Sequence, residues 1–144
     1  GVEQQGKHID AFAHVMDLPA TILEVSQTPH PGTSYQGRTV EKLRGQSMVP
    51  VLSGNASVIH KDDTAVSWEL FGMRAVRKGD LKLLRLGEPF GPDDWQLFNL
   101  AMDPGETTDL SASMPEVREE MIEIWNNYSQ EAGVILPLKN LFAP

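Results

Sequence analysis

The sequence predicts an α+β fold, in which a small antiparallel sheet of about four strands packs with a C-terminal helix. Two observations carry this prediction. Between Ala65 and Leu100, short apolar stretches alternate with turns rich in glycine and proline, which is typical of a meander of strands. From Ser113 to Tyr128, apolar residues recur at the spacing of one helical face.

The central segment divides into four predicted strands. They are Ala65–Phe71, Arg74–Arg77, Leu81–Leu86 and Trp95–Leu100. We expect the first two strands to be joined at Gly72-Met73, and Lys78-Gly79-Asp80 to form a tight hairpin turn before the third. Residues 87–94 hold two prolines and two glycines and predict a loop. The last strand alternates apolar and polar residues, which indicates that it is half-buried.

The C-terminal helix has signals at both ends. Ser113 and Glu116 form a capping-box pattern at its start, with Pro115 in the first turn, and Gly133 is suited to end it. One apolar stripe runs along it: Val117, Met121, Ile124, Trp125 and Tyr128. We expect this helix to cover one face of the meander, because a one-sided sheet must bury its apolar face.

The segment before Asn55 predicts less structure. Asp17 is suited to cap a short helix over about residues 18–26, and residues 27–37 predict a loop because they hold two prolines and two glycines. Short helical turns are predicted through Val40–Leu43 and within Gly45–Gly54. This segment lacks the dense apolar periodicity of a self-sufficient domain. We therefore divide the chain into residues 1–55 and 56–144.

Composition excludes several classes of function. The net charge is −8 and no basic stripe is present, so we expect no nucleic-acid partner. The sequence has no apolar run long enough to span a bilayer, so we expect no membrane partner either. The chain has no cysteine, which excludes disulfides, thiolate catalysis and cysteine-based zinc sites within it. None of this fixes the cellular compartment.

Three blocks of sequence occur in a definite order. They are HVMDLPATILEVSQTPHPG (14–32), GQSMVPVLSG (45–54), and the pair WELFGMRAVRKGDLKLLRL (68–86) and WQLFNLAMDPGETTDLSASMPE (95–116). In that order they resemble the C-terminal region of a type I sulfatase of the alkaline-phosphatase superfamily, bacterial arylsulfatases in particular. The resemblance covers about residues 9–135. Leu81 replaces a usual tryptophan, and Phe98-Asn99 replaces a usual Tyr-Asp.

The resemblance implies that residues 1–55 are the tail of a larger α/β domain and residues 56–144 its C-terminal subdomain. For the full-length parent it implies sulfate-ester hydrolysis by a formylglycine hydrate, with a bound calcium ion and with Lys and His residues that assist proton transfer. The cysteine that becomes formylglycine, the metal ligands and the other catalytic residues all lie upstream of the matched part. We therefore expect no catalytic residue, metal ligand or cofactor in this chain. It should be inactive alone and meet a sulfate-ester substrate only through the parent.

Three residues are our candidates for the rim of the parent's pocket: His60, Glu69 and Arg74. The resemblance implies that the subdomain packs beside the active-site mouth, which is why these polar residues are chosen. The wider cluster of residues 60–63 predicts a solvated turn, because adjacent residues of an extended stretch point apart. The basic residues Arg74, Arg77, Lys78, Lys82 and Arg85 predict one basic side of the meander, and ion pairs there are favoured over an anion site.

Other polar and aromatic groups are expected to be structural. His8, His14, Asp10 and Asp17 favour packing or capping over a zinc site, and Asp103, Glu106 and Asp109 favour turn and cap roles over a calcium loop. The aromatic residues are expected in the core rather than on a carbohydrate-stacking platform: Trp68, Phe71, Trp95, Phe98, Trp125 and Tyr128.

Two further functions stay open. A free-standing binding or interaction module would pack residues 1–55 into a closed core with the meander. The C-terminal part of a phosphodiester or phosphonate-ester hydrolase of the same superfamily would differ only in upstream residues, because specificity lies in the metal and nucleophile site. A piece of an α/β domain leaves apolar surface uncovered, so we expect the chain to self-associate.

Overall fold

The computed structural model describes residues 6–137. They form two compact units, with the division between Lys61 and Asp62. The change in composition had placed the division after Asn55. No helix in the described range is both long and apolar enough to cross a membrane.

The first unit contains two helices and a small hairpin. Helix α1 spans Asp17–Val25 and helix α2 spans Val49–Leu52. Strand β1 (Ser34–Tyr35) lies within the stretch predicted as loop and pairs with β2 (Arg38–Thr39), which follows that stretch. Gln36 and Gly37 between them both have positive φ, 50° and 77°, which a two-residue hairpin turn of this kind requires.

Two helical predictions for this unit had different outcomes. The helical turn within Gly45–Gly54 is confirmed by α2. The turn through Val40–Leu43 is wrong, because these residues form no helix. A single isolated turn fixes several backbone dihedrals for one hydrogen bond, and so it does not form without tertiary packing to support it.

The second unit contains the predicted meander. Its strands are β3 (Ala65–Leu70), β4 (Met73–Lys78), β5 (Leu81–Arg85) and β6 (Trp95–Asn99), all antiparallel and adjacent in chain order. The hairpin turn at Gly79-Asp80 is confirmed, since Lys78 pairs with Leu81. The first turn lies one residue earlier than predicted, at Phe71-Gly72, because Leu70 pairs with Met73.

Cross-strand pairing fixes which side chains share a face of the sheet. Val76, Leu83 and Leu97 lie side by side on neighbouring strands, and each is 0% exposed. Because side chains alternate along a strand, Arg77 and its partner Lys82 lie on the other face. The prediction of one basic side is therefore wrong. Arg74, Lys78 and Arg85 share the face of Val76, whereas Arg77 and Lys82 do not.

Helix α3 spans Pro115–Ala132 and lies over that face, in contact with all four strands. Met121 and Trp125 are its buried residues and complete one core with the sheet. Both the apolar stripe and the covering of one sheet face are confirmed. So is the end of the helix, where Gly133 adopts a left-handed conformation with φ 63°.

The start of α3 differs from the prediction. The N-cap residue is Met114, and no side chain caps the helix there. The hydroxyl of Ser113 instead donates to the carbonyl of Leu110 at 3.0 Å. The capping box is therefore wrong, because the preceding turn already uses the hydroxyl that the box requires.

The aromatic residues are not all in the core. Trp95, Phe98 and Trp125 are buried, whereas Trp68 and Tyr128 are half-buried. Phe71 is 57% exposed, so its prediction as a core residue is wrong. The physical reason is its place in the first hairpin turn, where its φ is 54° and the backbone turns away from the sheet.

Candidate functional site

A buried carboxylate, that of Asp17, organises the first unit. Its side chain is fully buried. One oxygen, Oδ2, accepts the backbone N–H of His14 at 2.7 Å and lies 2.9 Å from Nε2 of His60. The other, Oδ1, accepts the backbone N–H of Gln46 at 2.8 Å. The carboxylate thus joins three parts of the chain that are separated in sequence.

A second polar link lies one helical turn further along α1. The hydroxyl of Thr21 donates to the carbonyl of Asp17 at 2.7 Å and accepts the backbone N–H of Met48 at 2.9 Å. Asp17 and Thr21 are the buried residues of α1. This face of the helix is therefore fixed by hydrogen bonds to the segment that leads into α2.

Two predictions about these residues are wrong. Asp17 does not cap α1, because the helix begins at Asp17 itself and its carboxylate is used by His14, Gln46 and His60. His60 does not lie in a solvated turn, since its side chain is 3% exposed and its ring lies 5.6 Å from that of Phe12. Lys61, Asp62 and Asp63 next to it are exposed, as predicted.

The hydrogen bonds around Asp17 determine its charge state. Burial raises the pKa of Asp17, but the bonds from His14, His60 and Gln46 lower it, and the net pKa lies below the ordinary value. The group is therefore a carboxylate at neutral pH. Both of its oxygens accept hydrogen bonds, which suits it to hold structure rather than to accept a proton in a reaction.

Glu69 and Arg74 lie together in the second unit. They face each other across β3 and β4. An oxygen of Glu69 accepts the backbone N–H of Gly72 at 2.5 Å and so closes the first hairpin turn. The Cζ atom of Arg74 lies 5.1 Å from the ring centre of Trp125, which itself packs against Trp95 at 5.7 Å. Of the three rim candidates, the structure thus brings Glu69 and Arg74 together and buries His60 against Asp17 in the first unit.

Most cations of the sheet form ion pairs. Lys78 pairs with Glu120 at 2.5 Å, Lys82 with Glu106 at 2.5 Å, and Arg85 with Asp93 at 3.1 Å. The predicted ion-pair role is confirmed for these residues, although they lie on both faces. A cavity of about 350 Å³ lies beside the Lys78–Glu120 pair, and its lining includes Asp62, Asp80 and Met121.

The acidic loop after β6 is a turn, as predicted. Both oxygens of Asp103 accept hydrogen bonds, from the backbone N–H groups of Thr107 and Thr108 and from the Thr107 hydroxyl, at 2.7 to 3.0 Å. The bond from Thr108 is the largest cause that holds the pKa of Asp103 below its ordinary value. Asp109 accepts the N–H groups of Leu97 and Ser111 and fastens the loop to β6. Across the described residues, no three His, Asp or Glu side chains are grouped so as to hold a metal ion.

The sequence analysis does not predict the contact between the Arg74 guanidinium and the Trp125 ring. Trp125 was placed in the core from its helical spacing, and Arg74 was assigned to a basic surface. Alternation along the strand places residue 74 on the same face as residue 76, which the apolar pattern assigns to the core. The alternation of side chains along β4 therefore indicates that Arg74 lies beneath the helix.

Comparison with known proteins shows that the chain is similar to part of a sulfatase. The chain is 39% identical over 126 residues to an uncharacterized sulfatase of Schizosaccharomyces pombe, and the match covers 88% of this chain and 23% of the relative. No protein-family model matches the chain. The chain thus spans about a quarter of the length of this relative.

Solved structures share the fold. Ps i-CgsB, in complex with k-i-k-neocarrahexaose, is 25% identical with a TM-score of 0.63, over 86% of this chain and 26% of that one. A 2-O GAG sulfatase is 20% identical with a TM-score of 0.63, over 92% of this chain and 28% of that one. A protein from the glycosaminoglycan locus of Bacteroides thetaiotaomicron is 18% identical with a TM-score of 0.59, over 79% and 24%.

We predict that Asp17→Asn opens the first unit locally. The amide nitrogen of Asn would oppose one of the N–H donors that the carboxylate accepts, so protection of the Gln46 N–H from hydrogen exchange should fall about ten- to hundredfold, or ~1–3 kcal/mol. Asp10→Asn is the matched control, because the Asp10 side chain is 91% exposed. Unchanged protection in Asp17→Asn would contradict a structural role for this carboxylate.

The same measurement has a predicted pH dependence. Because the folded-state pKa of Asp17 lies below its value of 3.8 in an unfolded chain, the carboxylate stabilises the unit above pH 3.8. This contribution should disappear as pH falls through the lower folded-state pKa. The difference in protection between wild type and Asp17→Asn should shrink over the same range.

Proposed function

We propose that the chain, which is homologous to the C-terminal region of sulfatases, is the C-terminal portion of an arylsulfatase that hydrolyses sulfate esters. The observation that carries the proposal is the 39% identity over 126 residues to a sulfatase about four times as long, of which the match covers 23%. Calcium and formylglycine would be supplied by parts of the parent outside this chain. The chain holds no cysteine from which formylglycine could form.

We propose that the role of the chain itself is structural support. Its two units are each held by their own buried contacts: the Asp17 carboxylate in the first, and the core of sheet and α3 in the second. Neither set of contacts presents a nucleophile beside a base. Catalysis would then depend on the parent, and this chain alone would be inactive.

An exposed apolar stripe on α1 supports this role. Leu18, Ile22 and Val25 are 48%, 63% and 70% exposed and share one helical face, and Val15 just before them is 70% exposed. Asp17 and Thr21, which lie outside this face, are buried. We propose that this stripe packs against the rest of the parent's α/β domain, and that in the isolated chain it drives self-association. In the alternative function, a free-standing interaction module, the same stripe would be the binding face.

We also propose that Glu69 and Arg74 lie at the rim of the parent's pocket. Their direct cross-strand pairing supports this, because it places an acidic and a basic group at one end of the sheet. His60, the third candidate, belongs to the first unit, where its side chain is 3% exposed and bonded to Asp17.

The first test compares this chain with its full-length parent in aryl-sulfate hydrolysis with calcium present. We expect turnover by the parent and none by the chain. A parent whose formylglycine-forming cysteine is replaced by alanine serves as the negative control. Hydrolysis by the chain alone would overturn the proposal, and a parent that cleaves an aryl phosphodiester but no aryl sulfate would favour the other hydrolase of the superfamily.

The rim proposal predicts a kinetic effect in the parent. Glu69→Gln and Arg74→Gln should each lower kcat/KM for an aryl sulfate about tenfold, the size expected when one hydrogen bond to a charged group is lost. The control is Arg77→Gln, on the opposite face of the same strand. Unchanged kcat/KM in both rim variants would exclude the proposal.

If the exposed apolar stripe drives self-association, a charged residue within it should lower the oligomeric state of the chain. Ile22→Asp should shift the chain from dimers or larger species to monomers in size exclusion with light scattering, because a carboxylate on an apolar contact must be desolvated without a partner. Ile135→Asp is the matched control at a residue that is 90% exposed and outside the stripe. A wild-type chain that is monomeric at all concentrations would count against the proposal.

A further inference from the structure

Arg74 on β4 and Trp125 on α3 each carry a buried hydrogen-bond donor. The Nε atom of Arg74 and the Nε1 atom of Trp125 are both buried, and neither has an acceptor among the described residues. They belong to side chains in contact, since the Cζ atom of Arg74 lies 5.1 Å from the ring centre of Trp125. Trp125 is 4% exposed. Buried donors in folded proteins almost always have an acceptor, so two at one contact require an explanation.

The carboxylates near Arg74 are used by other groups. Arg74 lies directly opposite Arg85 on the neighbouring strand, a like-charge arrangement that destabilises a sheet. The nearby Asp93 is 3.1 Å from Nε of Arg85, and Oε1 of Glu69 accepts the N–H of Gly72. Burial and Arg85 lower the pKa of Arg74 more than Asp93 and Glu69 raise it. Both carboxylates near Arg74 therefore already accept hydrogen bonds from other donors.

Packing against Trp125 accounts for only part of the arrangement. The face of an indole ring attracts a cation, which explains why the guanidinium lies over it. It does not provide an acceptor for the Nε–H of Arg74 or for the indole N–H of Trp125. A planar guanidinium held in place by a ring is well suited to bind a carboxylate, sulfate or phosphate through two hydrogen bonds.

We propose that Arg74 and Trp125 form a binding site for an anionic oxygen group. The guanidinium of Arg74 supplies the charge and one buried donor, and the indole N–H of Trp125 supplies a further donor. The group comes from one of two sources: a free or ligand-borne sulfate, or a carboxylate of the parent polypeptide outside this chain. The site goes beyond the sulfatase assignment and is tested on this chain without any measurement of activity.

The test follows the indole N–H resonances of the three tryptophans in the ¹⁵N-labelled chain, with Trp125→Phe to assign the signal. Sodium sulfate and sodium acetate are titrated against sodium chloride at equal ionic strength. We expect a saturable shift of the Trp125 signal with sulfate or acetate. Arg74→Gln should weaken this binding at least about tenfold, because a charge-assisted hydrogen bond is lost, and Arg74→Lys should weaken it less.

The control is Arg77→Gln, which removes a charge from the opposite face of β4 and should leave the Trp125 titration unchanged. No saturable shift with either anion would overturn the proposal, and so would an equal shift in Arg74→Gln, which indicates an adventitious ion only. A full-length parent labelled at tryptophan separates the two sources. Sulfate that shifts the Trp125 signal there indicates a free or ligand-borne group. If the Trp125 signal of the parent is shifted relative to that of the isolated chain without added anion, and Arg74→Gln removes this shift, the group is a carboxylate of the polypeptide.

Discussion

The register of the four antiparallel strands is the constraint on which the second unit depends. Pairing of Val76 with Leu83, and of Leu83 with Leu97, decides which side chains lie beneath α3. A slip of one residue would exchange the two faces of a strand. The same register carries Arg74 and Arg85 under the helix with the core residues. The apolar core and the unusual charge arrangement at its end therefore have one geometric origin.

Sequence patterns predicted the helices and strands more accurately than they predicted the polar contacts between side chains. The strands, the hairpin at Gly79-Asp80 and the stripe of α3 were predictable because the periods of apolar residues differ between strand and helix. The capping box failed for a different reason. Ser113 can donate to a carbonyl behind it as well as accept an N–H ahead of it, and local sequence does not decide between the two. Phe71 was misplaced because an aromatic residue in a turn with positive φ is rare.

The polar site was harder to predict because its contacts are distant in sequence. Asp17 carries the ordinary signal of a helix cap, and nothing near it indicates Gln46 or His60 as partners. Only the folded unit brings these groups together around one carboxylate. Arg74 is the opposite case, because alternation along β4 would have placed it correctly. Homology then supplied what neither pattern nor packing could, namely that the chain matches about a quarter of the length of a sulfatase.

The long spacing of the Asp17 contacts bears on the order in which the first unit forms. Its partners are separated from it by 29 residues for Gln46 and by 43 for His60. Closing loops of that length is a slow, entropically costly step compared with the formation of a single helix. During synthesis from the N-terminus, α1 emerges with a carboxylate whose bonds to Gln46 and His60 cannot form until those residues have left the ribosome. Up to that point, water must solvate a group that the finished unit encloses.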